Sequence, residues 1–165
     1  MAPEPTSRRR RSGDGFVTLP DGTRRWGRFG AAGILVRHHP AGDEPAYFVA
    51  LRSNHCHQGG TWAIPGGALD EGESPEEGAL REFAEEVGPL VDHDVVEVHE
   101  DDHGGWSYWT VVVDVRTRFD PGQAALNWET AAVRWVVAAD LAALPLLGAF
   151  RATLERLGLL NGARE

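Results

Sequence analysis

Proline and glycine bracket one stretch of this chain so tightly that little conformational freedom is left to it. Pro65-Gly66-Gly67 interrupts an apolar run, Ser74-Pro75 can open a helix, and Gly88-Pro89 must close it. Ser74 carries the oxygen of an N-cap, and Pro75 suits the first helical position, where its missing N–H costs nothing. Glu77 stands where a capping box needs a carboxylate. Any fold available to the chain must therefore hold a short helix over about residues 75–87, entered from a glycine-rich loop.

Within that helix, Leu80, Phe83, Ala84 and Val87 follow the i, i+3, i+4, i+7 spacing of a buried stripe. Glu82, Glu85 and Glu86 repeat the i, i+3, i+4 spacing and are expected on the opposite side. Two unit charges about 5 Å apart repel by roughly 3 kcal/mol at an effective dielectric near 20. Arg81 can pair with Glu85 one turn on, but one guanidinium cannot neutralise three carboxylates. The cluster is either a solvated face or a seat for a hard divalent cation, which prefers oxygen ligands. Glu76 and Glu77 read as solvated or capping residues.

Around the helix the chain reads as strands. "FVTLPDGTRRW" from Phe16 predicts two short strands about a Pro-Asp-Gly turn. "AAGILVR" and "YFVALRS" are apolar runs of strand length on either side of "HHPAGDEPA", and "TWAIP" ends another strand at Pro65. "VVEVHE", "WSYWTVVVDVRTRF" and "AAVRWVV" are rich in the β-branched and aromatic residues that fit a pleated surface. "AADLAALPL" predicts a short helix, and "GAFRATLERLGLL" an amphipathic one in which Phe150, Leu154 and Leu157 share a face. A mixed sheet covered by helices follows.

The 165 residues suggest a single domain over 16–165. Residues 1–15, with Arg8-Arg9-Arg10-Arg11 among Pro, Ser and Gly, are expected to form a mobile tail. No apolar run reaches membrane-spanning length, and no apolar leader is visible, so a cytoplasmic protein is expected. Cys56 is the single cysteine, which excludes an internal disulfide and fits a reducing compartment. All 16 basic residues are arginine. The formal net charge of −9 argues against a nucleic-acid grip built on phosphate neutralisation, and no stable nucleic-acid complex is expected. It leaves open a small phosphorylated substrate, because cations held by carboxylates supply positive charge locally.

Gly67, five residues, Glu73, seven residues, then Arg81-Glu82-Phe83, one residue, Glu85-Glu86, one residue and Gly88 form a pattern that resembles the Nudix box. Seven specified residues match, an agreement expected by chance on the order of once in 10⁸ per starting position. Phe83 is aromatic where an aliphatic residue is usual, and Pro89 replaces the final aliphatic one. The resemblance implies an α+β Nudix fold, an α/β/α sandwich with a mixed β-sheet, in which the box forms loop–helix–loop. It implies Mg²⁺- or Mn²⁺-dependent hydrolysis of a nucleoside diphosphate linked to another group, a small-molecule substrate. Carried over by position, Glu82, Glu85, Glu86 and the carbonyl of Gly66 would be metal ligands. Arg81 would orient the carboxylates by salt bridge, with Glu73 as its partner. Glu129, six residues before Trp135, matches a further carboxylate of MutT-type members. It is the first candidate for general base, and Glu82 is the alternative; either could instead hold metal. The alternative to an enzyme is a Nudix-fold module that senses a nucleotide without turnover.

Other residues carry less. His55-Cys56-His57 lacks the four suitably placed ligands of a zinc site and reads as a surface loop, with contact to phosphate as the alternative. Asp101-Asp102-His103 before Gly104-Gly105 marks a hairpin turn. Trp106, Trp109 and Trp128 are candidates for stacking on a base, one of the three being expected near it.

Overall fold

The computed structural model describes residues 10–120, 126 and 128–160. A two-stranded ribbon, β1 (Phe16–Thr18) and β2 (Arg24–Trp26), precedes a seven-stranded mixed sheet. That sheet contains β3 (Ala31–His38), β4 (Ala46–Arg52), β5 (Trp62–Ala63), β6 (Gly66–Ala68), β7 (His93–Asp102), β8 (Ser107–Val115) and β9 (Thr130–Val137). Helix α1 (Pro75–Glu86) lies between β6 and β7, and α2 (Ala138–Leu141) and α3 (Gly148–Arg156) follow β9. No helix among the described residues is long and apolar enough to cross a membrane.

Side chains on alternate sides of the strands build a core on each face of the sheet. Ala32, Ile34, Val36, Phe48, Val111, Val113 and Val115 pack against Leu69, Ala79, Phe83 and Val87 on the α1 side. Leu35, Tyr47, Val49 and Val112 pack against Leu141, Phe150 and Leu154 on the other. The result is a helix–sheet–helix sandwich.

The sheet is forked at its centre. β3 runs parallel to β8 from Ala31 to Arg37 on one side. On its other side it pairs with β4 only over Val36–His38, and with β6 over Ala31–Gly33. β4 meanwhile takes β5 at Ala50 and Leu51 and β9 along its outer edge. β3 and β4 thus part company, and the turn between β5 and β6 fills the opening, tied across it by Ile34 N–H donating to the Pro65 carbonyl (2.9 Å). Gly66 sits in the fork. A β-carbon there would lie 2.5 Å from the Ala32 carbonyl oxygen, so only glycine permits this approach of two backbones.

Helix α1 begins as its punctuation requires: Ser74 Oγ accepts from Glu77 N–H (3.1 Å) and Pro75 follows. The Glu77 carboxylate is taken by Arg10 (2.7 Å). Val87 and Gly88 N–H groups both reach the Phe83 carbonyl, which closes the helix. Two features depart from the periodicity. Ala84 is exposed, and the buried side of α1 comprises Gly78, Ala79, Phe83 and Glu86, with Val87 just beyond. Glu86 therefore lies on the packed side and not with Glu85 toward solvent. The helix lies over a forked sheet, so the side of α1 that faces the fork can bury a carboxylate.

At its N-terminal end the described chain meets the box. Arg10 to Gly15 run along the box loop: Arg11 makes a two-pronged pair with Glu71 (2.7 and 2.8 Å), and Gly13 N–H donates to Asp70 (3.1 Å). Glu71 and Arg28 N–H groups return bonds to the Arg11 and Gly13 carbonyls. Pairing with acidic loop residues gives this segment partners that a composition reading cannot supply. Residues 1–9 lie outside the described set.

Phe83 makes edge-on contacts with Phe48 and Phe119, with ring centres 5.8 and 5.9 Å apart. Phe83→Ala is expected to cost about 3–5 kcal/mol of stability, whereas Ala84→Ser should cost under about 0.5 kcal/mol. Urea unfolding midpoints of the two variants check this assignment of the buried side.

Candidate active site

Arg81 is the hub of the box. Its Nε and Nη2 grip both oxygens of Glu73 (2.8 and 2.9 Å), and Nη2 also reaches the Ala68 carbonyl (2.9 Å). Nη1 donates to Glu82 (3.0 Å) and, more weakly, to Glu85 (3.4 Å). Glu73 accepts in addition from Asp70 N–H (3.0 Å). These bonds hold the Glu73 carboxyl below its usual range despite burial, and raise the already high affinity of Arg81 for its proton. The pair joins the loop to the helix and fixes Glu82 beside β6. A β-carbon on Gly67 would sit 2.6 Å from the Glu82 carboxylate, so Gly67 is the floor on which that group rests.

The three helix carboxylates are graded in exposure. The Glu85 side chain is 58% exposed and that of Glu82 16%, while Glu86 as a whole is 8% exposed. Burial pushes the Glu86 carboxyl up to about 8. The charges of Glu82, Glu129 and Glu85 add to the rise, and the Gly66 amide opposes it. Glu82 is also raised, through burial, with Arg81 opposing and Glu85 and Glu129 reinforcing.

Gly66, Glu86 and Glu129 line one small cleft in the fork, together with Arg52, Ile64 and Thr130. Glu129 is exposed and stands just before β9, and its carbonyl accepts from Ser53 N–H (2.9 Å) and faces the Cys56 thiol (3.7 Å). The structure thus brings the carboxylate from far along the sequence to the helix cluster. No three His, Cys, Asp or Glu side chains among the described residues form a closed ligand set, because Glu82 and Glu85 turn to Arg81. The donors at the cleft are nonetheless all oxygens, crowded with like charge beside a glycine carbonyl, a chemistry that suits a hard divalent cation.

Two residues at or beside the site have no place in the sequence reading. Arg52 ends β4, lines the cleft, and is steadied by donation from Nε to the His57 carbonyl (3.0 Å). Its signal is a lone cation closing an otherwise apolar strand. Tyr108 projects from β8 with its hydroxyl over Gly33, and burial and the charges of Glu86 and Glu82 raise its pKa while Arg52 lowers it. Period-two alternation from Trp106 could have placed it on a common face with Thr110. His55 and His57 are exposed, and the loop's contribution is the His57 carbonyl. Trp106 is buried, donating to the Gly27 carbonyl, and Trp109 packs on the α1-side core, whereas Trp128, beside Glu129, is 69% exposed.

The NUDIX domain family model matches residues 28–157. A Mycobacterium tuberculosis protein provisionally named 8-oxo-dGTP diphosphatase 3 is 41% identical over 155 residues, 90% of this chain and 70% of that protein. The crystal structure of RenU, a Nudix hydrolase from M. smegmatis, is 36% identical with a TM-score of 0.78, covering 93% of this chain and all of that one. MutT from Methanosarcina mazei is 25% identical with a TM-score of 0.58, over 79% and 92% of the two chains.

A proton held on Glu86 has a consequence for stability. Its carboxyl titrates near 8 in the folded protein and near the ordinary 4.5 when unfolded. Between those values the folded state binds the extra proton, so stability falls as pH rises from about 4.5 to about 8 and then levels. Chelator-treated protein is expected to melt at a lower temperature at pH 8.5 than at pH 5.5, and Glu86→Gln should flatten that slope in a thermal-shift series.

Proposed function

The chain belongs to the Nudix family and is a hydrolase of phosphoric anhydride bonds, and from that premise we propose that it cleaves the diphosphate of a nucleotide with Mg²⁺ or Mn²⁺ bound in the forked cleft. The observation that carries this reading is the burial of Glu86 within reach of three further carboxylate charges, beside Gly66. Unrelieved, that arrangement is repulsive; a divalent cation relieves it. Glu82, Glu85, Glu86, Glu129 and the Gly66 carbonyl would hold the cation, which supplies neutralisation of phosphate oxygens and a lower pKa for the attacking water.

The protein's own groups divide the remaining work. Arg81, clamped by Glu73, holds Glu82 and Glu85 in place and points away from any substrate. Arg52 is the cation lining the cleft, and it faces the phosphates. Glu129 takes the proton from water as that water attacks phosphorus. Glu82 is the weaker candidate for base, because Arg81 already occupies one of its oxygens. Trp128, exposed next to Glu129, offers a face for the base of the nucleotide. An oxidised purine nucleoside triphosphate is the first substrate to try, on the strength of the M. tuberculosis relative's name.

Glu85→Gln should keep its thermal unfolding midpoint, since the side chain is largely in solvent, yet lose roughly 100-fold or more in turnover, on the scale of removing one electrostatic partner of a reacting group. The test is hydrolysis of 8-oxo-dGTP, ADP-ribose and diadenosine tetraphosphate at saturating Mg²⁺, with products resolved by mass. Turnover within two-fold of the parent would remove Glu85 from the site.

A further inference from the structure

Gly33 lies in the middle of β3, a position where glycine weakens a strand. The reason for it here is Tyr108. A β-carbon on Gly33 would fall 2.1 Å from the Tyr108 hydroxyl and 2.8 Å from Ile64 Cδ1. The missing side chain is the space in which the phenol tip rests. Gly33 is paired with Gly66 across the fork, so the hydroxyl stands beside the glycine whose carbonyl belongs to the proposed cation site. Ile64, the other atom group crowding Gly33, lines the cleft itself.

The ring of Tyr108 is fixed from behind. It packs with Val17, Leu19, Ala31 and Trp106 in a small cluster under the β1–β2 ribbon. The hydroxyl takes no hydrogen bond among the described residues, although Glu86, Glu82 and Arg52 are close enough to act on it electrostatically. The ring is half-buried, and its hydroxyl, beside carboxylates and a guanidinium, keeps its donor for a ligand. It remains a neutral donor at any pH the enzyme would meet.

We infer that the Tyr108 hydroxyl is a substrate contact, donating a hydrogen bond to a non-bridging oxygen of the diphosphate as it lies between Arg52 and the carboxylate cluster. Gly33 is the residue that makes room for it. This rests on the hydrolase reading of the same cleft, and it adds a donor that carries no charge. A neutral donor lets the cleft grip phosphate without adding a cation that would compete with metal for the carboxylates.

The test is Tyr108→Phe, which removes one oxygen and leaves the ring and its packing. Methylenediphosphonate, a non-hydrolysable diphosphate, is titrated into the Mg²⁺-saturated protein by calorimetry, and its affinity is expected to fall about 10-fold or more, as for loss of a hydrogen bond to a charged acceptor. In the hydrolysis assay, kcat/KM on whichever of the three nucleotides the parent cleaves should fall about 10- to 100-fold. Mn²⁺ binding to the nucleotide-free protein, read by paramagnetic resonance, should stay unchanged. Unaltered diphosphonate affinity would overturn the inference, as would a loss of Mn²⁺ binding, which would make Tyr108 a support of the cation site. A parent chain that cleaves none of the nucleotides would instead count against the hydrolase reading, while the diphosphonate titration would still decide the contact.

Discussion

The parting of β3 from β4 is the constraint on which the rest of the structure depends. Two neighbouring strands that diverge leave unpaired backbone groups, and a protein must satisfy them or lose about 1–3 kcal/mol for each one buried. Here β5 continues the pairing of β4, β6 continues that of β3, and the Pro65 carbonyl bridges to Ile34. The opening is thereby lined by satisfied backbone, which lets it remain a cleft. It is also a place where groups from different strands and from helix α1 meet. Glu86 reaches it from the α1 side, Arg52 and Glu129 border it from β4 and the approach to β9, and the Tyr108 hydroxyl lies over Gly33 nearby.

Within that frame, a single guanidinium sets the geometry of the acidic residues. The Arg81–Glu73 pair is two-pronged and its carboxylate is nearly sealed, so removing Arg81 would strand a buried charge at a cost of about 3–5 kcal/mol. Exposed pairs are different: Arg10 with Glu77 and Arg11 with Glu71 are screened by water and contribute little. The second kind guides the N-terminal segment along the loop; only the first can hold a catalytic carboxylate in place.

Much of this was legible in the sequence where local rules act alone. Strand segments, the Ser74–Pro75 helix start and the Gly88 stop follow from propensity, capping and the missing proline donor. The spacing of Gly67, Glu73, Arg81 and the glutamates points to the family, and the family brings the fold. What helical periodicity could not give was the orientation of α1. It assumes a flat partner and assigns every carboxylate to solvent, so it placed Ala84 inside and Glu86 outside, and the fork reverses both. Arg52 and Tyr108 were illegible for a related reason. Each sits on a strand whose one-dimensional pattern says only that it is packed, and their positions arise from pairings of distant strands: Gly33 with Gly66, Ala31 with Tyr108 and Arg52 with Thr130. The Arg11–Glu71 pair spans sixty positions and has no local signature.

The net charge of −9 gains meaning only after the acidic residues are sorted by partner. In the box segment, Glu71, Glu73 and Glu77 each have an arginine, and Asp70 accepts from the Gly13 amide. These charges build the loop and are spent locally. Glu82 and Glu85 share one nitrogen of a guanidinium already committed to Glu73, and Glu86 has burial and three like charges against it. Functional charge is thus charge that the fold leaves underpaid, and its position is set by where arginines are absent as much as by where glutamates are present. An acidic protein that handles a polyanion need not be basic anywhere on its surface. It needs a cleft in which the protein's own cations fall short of its carboxylates.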